Sequence, residues 1–245
     1  MVKNYFSDKV VLITGGSSGL GKTFVDYFLK KKAIVIVFSR KNKFKKKMYS
    51  KKNKFFFYKF DLNHLSKIKL LIKDIIIKFK RIDVLINNAG VAKPQKIESL
   101  DENNLMESFK VNFFAPSIIT KEVLKIMKKK NFGRIINISS GGAINCVENY
   151  FTYSSSKAAL NTLAKTLAKE ISDYNIKINS MSPGPCKTKM FPKNKLSTKL
   201  SLPTIDYLSS LDKMGPSGKF FWFLNEIDVF PDLRKINWGK PRKLK

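Results

Sequence analysis

The strongest constraint on this chain is alternation. Between Val10 and Met181, short apolar runs rich in β-branched residues take turns with longer stretches of helical periodicity. The runs Val10–Thr14, Ile34–Phe38, Phe55–Phe60, Asp83–Asn87, Arg134–Ser139 and Ile176–Met181 read as strands, and Gly218–Leu224 as a last one. Ile34–Phe38 is apolar at every position, which suits a strand buried on both faces rather than on one. Between them, Leu20–Lys32 carries Phe24, Phe28 and Leu29 on one face. Leu65–Lys80 turns Ile68, Leu71, Ile72, Ile75 and Phe79 inward and lysines outward. Asn103–Lys130 forms a long helical region weakly interrupted by Pro116. Tyr153–Asp173 is rich in Ala and Leu, and Leu202–Met214 reads as a short helix. Strands alternating with helices require crossover connections and a parallel sheet, so the expected class is α/β, a doubly wound parallel sheet of about seven strands with helices on both faces. No linker, repeat or low-complexity break divides the 245 residues, which read as one domain, with a loose tail after Asn237.

Charge enters as a competing signal. The formal net charge is +30, from 48 basic and 18 acidic residues. Such a surface invites a nucleic-acid or anionic-membrane partner. Yet only five of the bases are arginine and 43 are lysine, and the chain is rich in Asn, Ile and Phe with nine Ala, the residues of A/T-rich codons. No arginine-bearing helix or aromatic platform is presented for nucleic acid. The aromatic clusters Phe55–Tyr58 and Phe220–Phe223 lie in strand-like runs and are expected in core packing. The expectation is therefore no specific nucleic-acid partner. No run approaches the roughly 18 apolar residues of a membrane span, and the N-terminus lacks the apolar stretch of a signal peptide. Cys146 and Cys186 make no disulfide framework and the single histidine, His64, has no ligand partners, so zinc chemistry is not supported. A cytoplasmic setting is the default.

Two local patterns carry chemistry. The first, Thr14-Gly15-Gly16-Ser17-Ser18-Gly19-Leu20-Gly21, joins the first strand to the first helix. Glycines there permit a tight turn and let backbone N–H groups approach a pyrophosphate, with the helix N-terminus adding unpaired donors. At the end of the second strand, where a carboxylate would bind a free adenosine ribose, the chain has Ser39-Arg40-Lys41. A hydroxyl and a guanidinium suit a 2′-phosphate, so NADP(H) is expected over NAD(H). The basic stretch Arg40–Lys54 adds positive potential beside it. The second pattern is Tyr153 and Lys157, spaced i, i+4 on one helix face. An ammonium beside a phenol favours phenolate and brings the tyrosine toward proton exchange with a carbonyl or alcohol. Ser140 closes the fifth strand and could hold the same substrate oxygen. Asn112, within the long helical region, could order a water beside Lys157.

Taken together, Thr14–Gly21, Asn87-Asn88-Ala89-Gly90, Asn112, Ser140, Tyr153–Lys157 and Pro183-Gly184 resemble, in order and spacing over about residues 8–190, the short-chain dehydrogenase/reductase family. The resemblance implies a Rossmann-type fold, a nicotinamide cofactor and an oxidoreductase that interconverts a carbonyl and a secondary alcohol. It implies Tyr153 as general acid/base, Lys157 as the residue that lowers its pKa and binds the nicotinamide ribose, Ser140 as the group positioning the substrate carbonyl, and Asn112 as support for a proton relay. By the same resemblance Gly15, Ser17, Ser18, Gly19 and Leu20 form the cofactor turn, and Ser39 and Arg40 meet the adenosine end. Asp61 and Leu62 adjoin the adenine, Asn88, Ala89 and Gly90 line the cofactor floor, and Pro183, Gly184 and Thr188 flank the nicotinamide. Relatives pair through helices, which implies a homodimer or homotetramer. The chain departs from the family at Cys186, where an aliphatic residue is usual, and in lacking the Asp-Gly-Gly ending of many tetrameric members. The intact set weighs against the alternative of a non-catalytic module that senses NADP(H) or binds an anionic surface.

Overall fold

The computed structural model describes residues 4–44, 49–50 and 53–230. The tail expected to be loose lies outside the described residues, as does part of the basic stretch after Arg40. Strands β1 (Val10–Thr14), β2 (Ile34–Ser39), β3 (Phe55–Lys59), β4 (Val84–Asn87), β5 (Gly133–Ile138), β6 (Ile176–Ser182), β7 (Phe220–Trp222) and β8 (Asn225–Ile227) form a single sheet in the order β3-β2-β1-β4-β5-β6-β7-β8. Every neighbouring pair is parallel except the last, where β8 runs antiparallel to β7. The order reverses between β1 and β4, and the carboxyl ends of these strands open the crevice in which doubly wound sheets take their ligands.

The continuous apolar runs are explained by burial on both faces. In β1, Val10 and Leu12 point to one core with Ile36, Phe38 and Leu85. Val11 and Ile13 point to the other with Val35, Val37 and Ile86. Helices α2 (Leu65–Phe79), α4 (Ala115–Lys130) and α6 (Phe151–Glu170) cover the first face through Ile68, Ile72, Ile119, Val123, Met127 and Ala164. Helix α1 (Gly19–Lys30), through Phe24, Val25 and Phe28, covers the second with α7 (Leu202–Ser210), through Ile205 and Leu208. At about 25 cal/mol per Å² of apolar area, each such buried Ile or Phe contributes on the order of 2 kcal/mol. The expected aromatic packing of the third strand is present: Phe56 meets Phe79 edge-on, with ring centroids 4.8 Å apart.

Three elements differ from the sequence expectation. The long helical region is divided into α3 (Glu102–Phe109), a π-helical turn (Lys110–Phe114) and α4. Pro116 provides the reason. It has no N–H to donate to the carbonyl of Asn112 four residues back, and the chain widens its turn just ahead of it, Ala115 N–H reaching the Lys110 carbonyl instead. The helix from Leu202 stops at Ser210, because Leu211 is extended and Gly215-Pro216 follow. The last predicted strand is cut at Trp222. Phe223, at φ +53, turns the chain back into β8, the strand that raises the count to eight. A short helix, α5 (Gly142–Asn145), also falls where no element was expected.

Candidate active site

One large cavity among the described residues, about 1190 Å³, runs along the carboxyl edge of the sheet. It is lined by every site residue expected from sequence except Asn112. Its adenosine end lies over β1 and β2, and its other end lies between β5, β6 and the segment that follows β6.

The glycine turn is held from behind. Thr14 Oγ1 accepts from the N–H groups of Asn88 and Ala89, both at 3.0 Å, and the Asn88 amide donates to the Thr14 carbonyl at 2.9 Å. The Asn88 side chain thus braces the turn from the β4 end. Gly15 adopts φ +69, and a Cβ there would stand 2.8 Å from the Cα of Ala89, so no side chain fits. At Gly21 a Cβ would stand 2.5 Å from the Asn88 amide nitrogen. Gly19, at φ +52, has only Thr188 nearby, 3.4 Å away across the opening. Ser18 caps α1 in an extended conformation without spending its hydroxyl on the helix, and the first turn contains no acid. The first N–H groups and positive dipole end of α1 are therefore open to an anion. This cradle, in a cavity of about 1190 Å³, fits the pyrophosphate of a nicotinamide dinucleotide.

At the adenosine end, the Ser39 hydroxyl is hydrogen-bonded to that of Ser17 at 2.6 Å. Arg40 is exposed and has no hydrogen bond or ion pair among the described residues. Lys41, Lys43 and Lys59 line the same end, and Asp61 is the one carboxylate in the lining. One oxygen of Asp61 is occupied by the N–H and the amide of Asn63, each at 3.0 Å.

The other end of the cavity is built on buried side chains. Tyr153 is 8% exposed and Lys157 3%. Ser140 Oγ accepts from Gly142 N–H at 3.0 Å, and its hydroxyl lies close enough to the Tyr153 phenol to favour its ionised form. Lys157 Nζ donates to the Ile138 carbonyl at 2.7 Å and stands 5.9 Å from the centre of the Tyr153 ring. Burial, opposed in part by the nearby Ser140 hydroxyl, holds the Tyr153 phenol above its ordinary value. Burial also pushes Lys157 down to about 8. The direction at Tyr153 is thus upward, opposite to the lowering expected from an ammonium beside a phenol. Desolvation disfavours both charged forms, and the ammonium is committed to a backbone carbonyl.

Asn112 requires a second correction. It is fully buried, and both of its amide N–H donors are spent. Oδ1 accepts from Val91 N–H at 2.8 Å, and Nδ2 donates to the Val91 carbonyl and to Ser156 Oγ, each at 2.9 Å. It stands behind Gly90, where a Cβ would lie 3.3 Å from Oδ1 and 3.5 Å from Lys157 Nζ.

Sequence reasoning missed the rings around Tyr153. Phe191 stands 5.9 Å from Tyr153 and 5.7 Å from Tyr150, centroid to centroid. Trp222 lies so close over Gly141 that a Cβ there would enter its ring. The Phe220–Phe223 cluster was a visible signal, but β7 places Phe220 and Phe221 in the sheet and Trp222 against the cavity. Cys186 is buried, its thiol donating to the Pro183 carbonyl at 3.0 Å and raised in pKa by burial, so it is a packing group.

A model of the short chain dehydrogenase family matches residues 9–198. The 3-oxoacyl-(acyl-carrier-protein) reductase of Thermotoga maritima is 32% identical over 189 residues, 76% of this chain and 77% of that protein. The 3-ketodihydrosphingosine reductase of Bacteroides thetaiotaomicron is 32% identical over 239 residues, 96% of this chain and 80% of that one. Among solved structures, ElxO with NADP bound matches with a TM-score of 0.80 at 29% identity, covering 88% of this chain and 97% of its own. A parallel sheet ordered about a glycine turn, a Ser–Tyr–Lys corner with the Tyr and Lys buried, and a family match from β1 to beyond β6 lead to one conclusion: this chain is an oxidoreductase and belongs to the short-chain dehydrogenase family.

Proposed function

We propose that the protein interconverts a carbonyl and a secondary alcohol with NADP(H), Tyr153 acting as general acid/base. The observation that carries this is the convergence of Ser140, the buried Tyr153 and the buried Lys157 on one end of the cavity, with Lys157 Nζ 5.9 Å from the Tyr153 ring centre. A carbonyl oxygen placed between the two hydroxyls would be polarised by Ser140 and protonated by Tyr153, while its carbon faces the open cavity. The bound nicotinamide would supply the hydride to that carbon. Gly15, Ser17, Ser18, Gly19 and Leu20 would hold the pyrophosphate. Asp61 and Leu62 would hold the adenine, and Asn88 to Gly90, Pro183, Gly184 and Thr188 the nicotinamide half. Lys157 would meet the nicotinamide ribose hydroxyls, and a water bridging Lys157 to the Asn112 main-chain carbonyl, which Pro116 deprives of its usual donor, would resupply the proton. With both Asn112 amide N–H groups engaged, its part in a relay is assigned to that carbonyl.

Preference for NADP(H) is supported by an unpaired Arg40 at the end of β2, by Lys41, Lys43 and Lys59 beside it, and by the lack of a carboxylate at that strand end. A cytoplasmic enzyme acting as a homodimer or homotetramer, without a nucleic-acid partner, completes the reading. No helix among the described residues is long and apolar enough to cross a membrane. Tyr153→Phe tests the assignment. It should abolish carbonyl reduction while NADPH still binds, and retained turnover would falsify the acid/base role.

A further inference from the structure

Resting on the oxidoreductase reading above, we infer that the substrate is an uncharged ketone bearing an aromatic ring beside its carbonyl, held by Val147, Tyr150, Met190, Phe191 and Trp222. The cavity is divided by charge. Arg40, Lys41, Lys43 and Lys59 lie at the adenosine end, whereas these five residues around the Ser140–Tyr153 pair are all uncharged. Two cations come nearer. Lys157 is buried with its ammonium on the Ile138 carbonyl. Lys189 also lines the cavity, with its charge directed toward Lys43 at the basic end. A substrate carboxylate or phosphate held among the five uncharged residues would lose its water with no cation among them to replace it.

Polyols fit no better. A sugar needs a donor or acceptor for each hydroxyl, and Ser140 is committed to the reacting oxygen. Asn145 is exposed at the rim, and the Asn194 amide is turned to the Cys186 carbonyl at 3.4 Å. What the corner offers is rings. Tyr150, Tyr153 and Phe191 form a mutual cluster with interplanar angles of 48° to 73°, and all three line the cavity. The Trp222 indole, seated on Gly141, adds another aromatic surface. Val147 and Met190 leave apolar surface exposed at the mouth, 51% and 37% respectively, where solvent would otherwise select polar side chains. Offset and edge-on packing against such rings favours a flat substituent over a flexible one.

The test uses the full chain with NADPH and a matched set: a phenyl alkyl ketone, the same ketone with a para carboxylate, and a polyhydroxy ketone. The neutral aryl ketone should show kcat/KM at least tenfold above either of the others. Phe191→Ala should raise its KM about tenfold with little change in the Kd of NADPH, and Phe191→Leu should fall between. Equal or better turnover of the carboxylate or the polyol overturns the substrate class while leaving the oxidoreductase reading intact. An aryl ketone that binds the protein–NADPH complex in a Phe191-dependent way, detected by ligand NMR, with no carbonyl reduced, refutes the catalytic reading instead. No binding and no turnover of the aryl ketone, with other carbonyls reduced, also overturns the class.

Discussion

Lys157 is an ionisable group whose natural charge opposes the fold that holds it. Its pKa falls from an ordinary 10.5 to about 8 in the native state because burial penalises the ammonium. At 1.36 kcal/mol per tenfold, that fall corresponds to about 3 kcal/mol of lost stability at neutral pH. Below pH 8 both folded and unfolded chains keep the proton, and the full cost is present. Between pH 8 and 10.5 the folded chain releases its proton first, so stability rises with pH. Above 10.5 neither state is charged and the cost is gone. Lys157→Met keeps the length and apolar stem, removes the charge, and forfeits the hydrogen bond to the Ile138 carbonyl, worth about 1 kcal/mol. The variant should therefore be about 2 kcal/mol more stable than the parent at pH 7, with Tm higher by about 4–8 °C for a chain of this size. By pH 10.5 the order should invert by about 1 kcal/mol. Thermal or urea unfolding of both proteins across pH 7 to 10.5 measures this, because the other lysines cancel in the difference. A variant less stable than its parent at pH 7, or a gap that stays flat with pH, would refute the reasoning. Activity should be lost, which makes the site a place where function is retained at a cost in stability.

Arg40→Glu places a carboxylate where an adenosine 2′-phosphate is proposed to sit. It should shift the NADPH-to-NADH affinity ratio at least tenfold toward NADH in fluorescence titrations, and an unchanged ratio would remove Arg40 from cofactor choice. Gly15→Ala forces a side chain into a left-handed backbone against Ala89, so it should cost about 2–3 kcal/mol in urea unfolding and weaken cofactor binding. Arg134→Lys should lower stability by about 2–4 kcal/mol in the same assay, since one ammonium cannot satisfy the acceptors that the guanidinium now reaches.

The architecture was legible because both of its signals are periodic. Runs such as Ile34–Phe38 are apolar throughout when both faces of a strand are covered, and Leu65–Lys80 repeats at helical spacing when one face is. The cofactor turn was legible because glycine marks left-handed backbone and close approaches that side chains disfavour, as Gly15 shows against Ala89. Other features depended on distant contacts. Pro116 was visible as a blemish in a helix, but that it would produce a π turn around Asn112 depends on how the chain relieves a missing donor. The Asn112 amide looked available until Val91 and Ser156 were seen to occupy it. Lys157 was read as a neighbour of Tyr153, whereas desolvation, which requires the packed surroundings, governs both. Phe191 and Trp222 come to Tyr153 from segments far apart in the chain, and nothing in their local patterns announces that meeting. β8 escaped notice because its three residues are exposed and carry no periodic signal.

Arg134, a fully buried base, makes a final point about composition. Its guanidinium donates to the carbonyls of Leu211, Gly133 and Asn175 and to the Asn175 side chain, at 2.7 to 2.9 Å, and lies 4.5 Å from the centre of the Phe132 ring. Arg81 grips Asp83 with two prongs at 2.6 and 2.7 Å. In a chain whose bases are 43 lysines and five arginines, both uses demand a flat, multi-pronged donor, which a rounded ammonium cannot imitate. Where positive charge alone suffices, this chain writes lysine. Arginine is the rarer letter, and at these two positions it spells shape. Arg40 is the third arginine among the described residues, and it alone holds an unfilled fork over the cavity.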